Sequence, residues 1–318
     1  GILVKANGNI SSAASLNFQT NNGNITFWSN SANSGSGYIG LGNSNNFNSV
    51  NGSTASNLST GGKITLAGGL DTNANGIPAG YAISTVAGAD GIKLGTSSAS
   101  STTLNSGGGD VFINGKATAT TGIPFGFDAL GALNINSGTG GISVSGVSAA
   151  TYGIELSNGL ASGTGLSFTS AKTSGTAISI SGTTTAASSY GVVFDYNSSK
   201  YVMATGGGGI NITGVGTGSF YGVFLSNTNV LSTSGAISVD GGTKGINVVN
   251  GATFGKNSAT IVTTSSSNVT LAGDVVNVGA ATTIDTTGTL TASTVKAAKV
   301  VDLSGAAGLT ATTLTSTN

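Results

Sequence analysis

The sequence contains no cysteine and no histidine, and none of its ten basic residues is an arginine. Without thiolate or imidazole ligands, structural zinc, haem and iron–sulfur sites are excluded, and so is any catalytic triad built on histidine. Ten basic residues balance ten acidic ones, so the formal net charge is zero. Nucleic-acid binding requires a basic surface, which this composition does not supply. We therefore expect no cofactor, no catalytic residue and no nucleic-acid partner.

Proline and long apolar runs are also scarce. The sequence has two prolines, Pro78 and Pro124, and both lie in glycine-containing turns. No apolar run approaches the 18 residues of a transmembrane helix, so we expect no membrane insertion. Residues 1–5 lack the pattern of a secretory signal peptide, and the repeat pattern continues to both ends of the sequence. We therefore expect a segment of a longer protein.

Short strands are the main feature that the sequence does contain. Its 54 glycines accompany a hydrophobic content of 38% and a mean hydropathy of +0.24, which argue against a disordered chain. Apolar–polar–apolar triplets recur between glycine and asparagine residues, and this alternation predicts strands with one buried face. Examples are Ile64-Thr65-Leu66, Val111-Phe112-Ile113, Ile142-Ser143-Val144, Ile178-Ser179-Ile180, Ile210-Asn211-Ile212 and Ile237-Ser238-Val239. Residues that favour helix interiors are rare, so no long helix is expected.

The triplets belong to a longer repeat of roughly 30 residues, within the range of solenoid proteins. Each of three aligned units starts with an isoleucine triplet and continues to a Tyr-Gly pair. This pattern predicts an all-β, right-handed parallel β-helix with about three short strands per coil, because such short strands need many stacked neighbours. The expected ladders are an aliphatic one of Ile142, Ile178, Ile210 and Ile237, and an aromatic one of Tyr152, Tyr190 and Tyr221.

No linker divides the chain, so we predict one continuous β-helix over residues 1–318. Its first coils, in residues 1–60, are irregular, those in 61–260 are long and carry loops, and those in 261–318 are shorter. A β-propeller is the main alternative architecture. Its blades need four longer strands and a steadier, longer period than this sequence shows.

One candidate metal site is a partial calcium loop. Asp71, Asn73 and Asn75 precede Gly76 with the spacing of the first half of an EF-hand loop. The twelfth position, which should be a bidentate glutamate, is Ala82. The alternative interpretation is a turn in which the aspartate side chain bonds to the backbone.

A carbohydrate-cleaving site would need two carboxylates or a carboxylate with a basic residue. The single glutamate is Glu155, whose counterparts one coil later are Val193 and, two positions further, Asp195. A Glu155/Asp195 pair on adjacent coils is geometrically feasible. The alternative is two separate solvated charges, and we expect a protein that is not an enzyme.

Aromatic side chains offer a second kind of carbohydrate contact. Phe27, Trp28, Tyr38 and Tyr201 are candidates for stacking on sugar rings. The alternation around Trp28 is equally consistent with a role in the core or in covering it.

Three of the repeated strands carry a resemblance to a known family. They are Gly62-Lys63-Ile64-Thr65-Leu66-Ala67-Gly68, Gly141-Ile142-Ser143-Val144-Ser145-Gly146 and Gly235-Ala236-Ile237-Ser238-Val239. Together with their Ala/Thr/Gly-rich connections, they resemble the repeat region of filamentous-haemagglutinin-type exoproteins, the large adhesins of bacterial two-partner secretion. Autotransporter passenger domains share this kind of repeat. The Asn-Pro-Asn motifs of the family's secretion module do not occur, which indicates an internal stalk segment.

The resemblance implies a secreted protein at the cell surface or outside the cell. It would cross the outer membrane through a secretion transporter, fold outside, and mediate attachment or cell–cell and matrix contact, as in a biofilm. Its expected partners are a surface or matrix polysaccharide, or other copies of itself joined end to end or laterally. Two alternatives remain, namely a protomer of a self-assembling fibre or sheath, and a β-helix enzyme that degrades polysaccharide.

Overall fold

The alternating triplets form strands that stack in parallel around one apolar interior. The computed structural model describes residues 1–50, 60–72, 74, 76–157, 165–195, 200–255, 269–276, 282–285, 289–297, 301–302 and 308–316. These residues form a 28-stranded sheet and one short 3-10 helix, Gly242–Lys244. Within the described part of the chain, no helix is long and apolar enough to cross a membrane.

The strand bounds follow the chain in order. The first ten are β1 (Ile2–Lys5), β2 (Ile10–Ser12), β3 (Leu16–Gln19), β4 (Ile25–Ser29), β5 (Ile39–Leu41), β6 (Asn45–Asn48), β7 (Ile64–Gly68), β8 (Ala82–Ser84), β9 (Ile92–Leu94) and β10 (Ser101–Asn105). The next nine are β11 (Val111–Ala117), β12 (Phe127–Leu130), β13 (Ala132–Asn136), β14 (Ile142–Ser148), β15 (Ile154–Ser157), β16 (Leu166–Ser170), β17 (Thr176–Thr184), β18 (Val192–Asp195) and β19 (Lys200–Ala204). The last nine are β20 (Gly209–Val215), β21 (Val223–Ser232), β22 (Ile237–Asp240), β23 (Ile246–Gly255), β24 (Val269–Val276), β25 (Thr282–Asp285), β26 (Thr289–Ala297), β27 (Val301–Asp302) and β28 (Gly308–Ser316).

The strands build three faces of a solenoid. The first face stacks β1, β4, β7, β11, β14, β17, β20, β22, β24, β26 and β28. The second face stacks β2, β5, β9, β12, β15, β18 and the first halves of β21 and β23. The third face stacks β3, β6, β10, β13, β16, β19, the second halves of β21 and β23, then β25 and β27.

This arrangement confirms the predicted all-β parallel β-helix with about three strands per coil. Each strand pairs in parallel with a strand one coil away, which a propeller blade of antiparallel strands would not do. Coil length varies through insertions in the loops. In the coil that starts at Ile64, the insertion divides the first-face strand, because β7 pairs with the first half of β11 and β8 with its second half. The proposed divisions near residues 60 and 260 stay a prediction, since 51–59 and 256–268 lie outside the described residues.

The interior consists of columns of identical or similar apolar side chains. Strand register places Ile142 beside Ile178, Ile178 beside Ile210, and Ile210 beside Ile237. Each of these four side chains is at most 2% exposed. Such columns bury apolar area continuously along the solenoid, and this burial is the main favourable term in its stability.

Glycine rows close the corner between the first and second faces. One row stands in register on the first face, and the other immediately precedes the strands of the second face. The two rows are Gly115, Gly146, Gly182 and Gly214, opposed by Gly126, Gly153, Gly191 and Gly222. A Cβ atom on Gly182 would lie 2.1 Å from the carbonyl oxygen of Gly191, which is far inside van der Waals contact. The absence of a side chain is therefore what lets the two backbones meet at this corner.

A lysine at the start of β19 is buried inside the solenoid. Lys200 stands in register between Leu166 and Thr228 on the inner side of the third face and is 0% exposed. Its Nζ atom donates to the carbonyl oxygen of Ser226 at 2.8 Å. Burial lowers the pKa of Lys200 to about 8, although the charge of Asp195 opposes this shift. The alternation of apolar and polar residues did not reveal this inward-facing charge.

We expect Lys200→Met to raise the free energy of unfolding by about 2 kcal/mol at pH 7, because the apolar chain removes a buried charge. The Ser226 carbonyl still accepts from the Thr228 hydroxyl. Because the folded-state pKa lies below the usual value of 10.5, the protein's stability should increase between pH 8 and 10.5. Urea unfolding at pH 7 and 9.5 measures both effects, with the exposed Lys244→Met as control. Equal stability of K200M and the parent chain at both pH values would contradict this account.

Candidate functional site

The main candidate binding site is a groove on the outer side of the first face, here called the outer groove. Its floor is a column of outward side chains at the central positions of four stacked strands. These are Thr65, Phe112, Ser143 and Ser179, which are joined in register from β7 to β17. Because side chains alternate across a strand, the inward apolar residues on either side fix these four on the outer side of the sheet. Phe112, Ser143 and Ser179 are partly exposed there, whereas Thr65 is only 2% exposed. The column runs along the solenoid axis, with one residue from each coil.

The wall of the outer groove comes from the loop between β7 and β8. Ile77, Pro78 and Ala79 face the floor across a cavity of about 450 Å³. The loop is attached at its base, where Asn114 Nδ2 donates to the Gly80 carbonyl at 3.0 Å. The Gly68 amide donates to the same carbonyl at 3.3 Å. Hydrogen bonds from Asn114 and Gly68 therefore hold the apolar wall against the sheet.

Three charged side chains lie at the outer groove. Lys63 and Asp110 form an ion pair of 3.3 Å whose two side chains are about half exposed. The Oδ1 atom of Asp110 also accepts a hydrogen bond from the Gly141 amide at 2.9 Å. Lys172 lines the same groove and has no ion-pair partner among the residues that the structure describes. The site thus combines hydroxyls, one aromatic ring and an excess of one positive charge.

A second feature is a column of aromatic rings at the start of the second face. Tyr152 and Tyr190 meet at a centroid distance of 5.4 Å, nearly perpendicular to each other. Phe125 continues the column beyond Tyr152 at 5.6 Å, and Phe220 continues it beyond Tyr190 at 4.7 Å. Phe224 also packs against Tyr190, at 5.2 Å. The placement of Tyr221 in this column stays a prediction. Burial raises the pKa of Tyr190, which is consistent with a packing role.

A cluster of charges lies on the outer side of the second face. Lys93 Nζ contacts Asp90 Oδ2 at 3.1 Å and Asp128 Oδ2 at 2.5 Å. The carboxylates of Asp90 and Asp128 are almost fully buried, and Asp90 also accepts from the Phe125 amide at 2.8 Å. Burial raises the pKa of Asp128 to about 6, against the charge of Lys93. Burial alone would lower the pKa of Lys93, but the two carboxylates outweigh it and raise that pKa.

Strand register decides which carboxylates are neighbours of Glu155. Glu155 stands beside Asp128 on one side and Val193 on the other, whereas Asp195 stands beside Ser157. The Glu155/Asp195 pair considered for catalysis is therefore not directly in register. The acidic neighbour is Asp128, which sequence analysis missed because the loops around it obscure the repeat. One signal in the sequence was available. Asp128 directly follows Phe127, just as Glu155 directly follows Ile154, so the two carboxylates occupy equivalent positions.

The calcium-loop candidate lies in the loop that forms the wall of the outer groove. A carboxylate oxygen of Asp71 accepts a hydrogen bond from the Gly76 amide at 2.6 Å. This bond is the one expected of a turn in which an aspartate caps the backbone. Asn73 and Asn75 lie outside the described residues. Within the described residues, no group of three histidine, cysteine, aspartate or glutamate side chains could hold a metal ion.

Two of the aromatic candidates for sugar stacking are part of the folded interior. Phe27 is 1% exposed and packs against two other phenylalanine rings inside the first coils. Trp28 is 7% exposed, and its indole donates to the Gly69 carbonyl at 2.7 Å. Trp28 therefore anchors the wall loop of the outer groove. Tyr38 is half-buried beside the second face, and Tyr201 is exposed on the third.

Comparisons with protein families, with curated proteins and with solved structures found no match to this chain. The parallel β-solenoid repeat architecture rests on the structure itself.

Proposed function

We propose that this chain is an extracellular structural and adhesive rod that mediates attachment or cell–cell and matrix contact without catalysis. The observation that carries this proposal is the continuous stack of coils with an open groove along one face. At a rise of about 4.8 Å per coil, the stack sets a distance of about 50 Å between its ends. A solenoid of this kind presents a long side surface on which a polymeric ligand can lie.

The chain's composition and repeats support an extracellular location. A chain without cysteine can pass a secretion transporter unfolded, with no disulfide to reduce or reshuffle. Its resemblance to filamentous-haemagglutinin-type repeats points to export across an outer membrane through a dedicated transporter. Folding outside the cell then proceeds coil by coil, because each coil contacts mainly its neighbours.

The geometry of the acidic residues supports a non-catalytic role. A carboxyl with a raised pKa is the usual general acid of a carbohydrate-cleaving enzyme. Here that carboxyl belongs to Asp128, which is 3% exposed and bound to Lys93 at 2.5 Å. A polysaccharide cannot reach it without disrupting the ion pair. We therefore assign the cluster of Asp90, Lys93 and Asp128 to stability.

Adhesion under flow tests the proposal. Beads coated with the folded chain should be retained on surfaces that carry extracellular-matrix polysaccharide, whereas beads coated with the denatured chain should wash off. The same preparations should release no reducing sugar from a polysaccharide panel. Loss of retention on every surface would contradict the adhesive role. Release of sugar that disappears in Glu155→Gln would contradict the absence of catalysis.

A protomer of a self-assembling fibre or sheath is the second candidate function, and the mode of stacking favours it. On each face, one coil extends the sheet of the next by parallel strand pairing. The same pairing can join strands of separate copies. Filaments that lengthen with protein concentration in electron micrographs would favour this candidate over a monomeric rod.

A further inference from the structure

We propose that the outer groove binds a segment of an acidic polysaccharide, and that Lys172 is the residue that pairs with its anionic group. This inference deepens the adhesive function proposed above and rests on it. The groove is defined by Thr65, Phe112, Ser143 and Ser179 on its floor and by the loop with Ile77 and Pro78 on its wall.

The shape of the outer groove fits an extended chain of sugars. Four floor residues from four stacked coils extend over about 14 Å along the axis, at about 4.8 Å per coil. The cavity of the outer groove, about 450 Å³, is within the range of ligand sites. A short run of pyranose rings fits this length.

The chemistry of the floor fits sugar rings. Ser143 and Ser179 are partly exposed and carry hydroxyls, which both donate and accept hydrogen bonds, as sugar hydroxyls do. Phe112 stands between Thr65 and Ser143 and is half-buried, so part of an apolar ring is accessible in the floor. An aromatic ring beside hydroxyls matches the apolar face and polar rim of a pyranose.

The charges at the groove select an anionic polymer. The ion pair with Asp110 neutralises Lys63, so the remaining positive charge is that of Lys172. A Cβ atom placed on Gly141 would lie 3.5 Å from Lys172 Nζ, so the ammonium lies next to the start of β14, beside the groove floor. A carboxylate or sulfate that meets this ammonium forms a charge-assisted hydrogen bond in a partly enclosed site.

Calorimetry on the intact chain tests the proposal with three probes of equal length. They are an oligogalacturonate, its fully methyl-esterified form, and a sulfated oligosaccharide. We expect the oligogalacturonate to bind about tenfold more tightly than its neutral ester, as expected for one charge-assisted contact. Comparison with the sulfated probe shows which anion the groove prefers. Added salt should weaken the binding of the acidic probes more than that of the ester.

Variants locate the binding in the outer groove. Lys172→Gln should reduce the affinity for oligogalacturonate about tenfold while leaving that for the ester unchanged. Phe112→Ala should weaken the binding of both probes. Lys244→Gln removes the same charge in the 3-10 helix, outside the groove lining, and should change the binding of neither. Circular dichroism and melting curves establish that each variant folds.

The outcomes separate this inference from the function on which it rests. Equal affinity for the acid and its ester, or unchanged binding in both K172Q and F112A, would overturn the groove assignment. Beads coated with these variants would then still be retained on polysaccharide surfaces, and the adhesive function would stand. Loss of retention for the unmodified chain on every surface would instead overturn the proposed function.

Discussion

Gly182→Ala is expected to lower the free energy of unfolding by about 3 kcal/mol, the upper part of the usual range for overpacking. The added methyl group would lie 2.1 Å from the Gly191 carbonyl oxygen and 2.7 Å from a Val192 methyl carbon. Neither neighbour can move aside easily, because Gly191 begins the second face and Val192 is buried in the core. The loss should appear as a lower urea midpoint in circular dichroism.

A matched glycine provides the control for this prediction. A Cβ atom placed on Gly8 would have no neighbour within 4 Å, and Gly8 has no left-handed backbone angle. Gly8→Ala should therefore change stability by less than about 0.5 kcal/mol. Gly191→Ala, on the opposing row, should resemble Gly182→Ala, because its methyl group would lie 2.4 Å from the Val215 amide nitrogen. If G182A is as stable as G8A, the corner is not as closely packed as the structure indicates.

Lys93→Met is expected to cost about 3 to 5 kcal/mol at pH 7, because it leaves two buried carboxylates without their cation. The pKa of Asp128, already raised by burial to about 6, should rise further without Lys93. An acid whose folded-state pKa exceeds its usual 3.8 destabilises the fold progressively as the pH rises from this usual pKa to the folded-state pKa. The variant should therefore be closest to the parent chain near pH 4 and furthest from it above pH 7. Urea unfolding from pH 4 to 8 measures the difference.

Two further variants sharpen the test of Lys93. Lys63→Met breaks a pair whose side chains are 51% and 52% exposed, so it should cost less than about 1 kcal/mol. Adding Asp128→Asn to Lys93→Met should recover much of the loss, because one unpaired charge is gone. A loss in Lys93→Met that is independent of pH and not relieved by Asp128→Asn would show that packing, and not charge, is responsible.

Much of the fold follows from local pattern. The triplet Ile142-Ser143-Val144 and its counterparts at Ile178 and Ile210 show the period-two alternation of strands, and the shared spacing to a Tyr-Gly pair gives the repeat. Stacked parallel coils are the architecture that brings such strands into register, and the structure has this register. The Tyr-Gly alignment also placed Tyr152 and Tyr190 at equivalent positions, and their rings meet in the structure.

The candidate site was harder to predict than the fold. The central residues of the triplets, such as Thr65, Phe112 and Ser143, were identifiable as outward-facing. These residues form a groove only together with the loop after β7. The position of that loop depends on the hydrogen bond from Asn114 to the Gly80 carbonyl. Loop conformation depends on such nonlocal contacts, so no repeat pattern specifies it.

The sequence by itself determined that this chain builds stacked parallel strands without metal-binding cysteine or histidine, because alternation and composition are local properties of the residues. The tertiary structure decided which side chains meet across coils. It placed Lys93 between Asp90 and Asp128, buried Lys200 in the interior, and brought Lys172 to the outer groove. Insertions of variable length separate these residues along the chain, so only strand register, which is fixed by packing of the shared core, determines their distances.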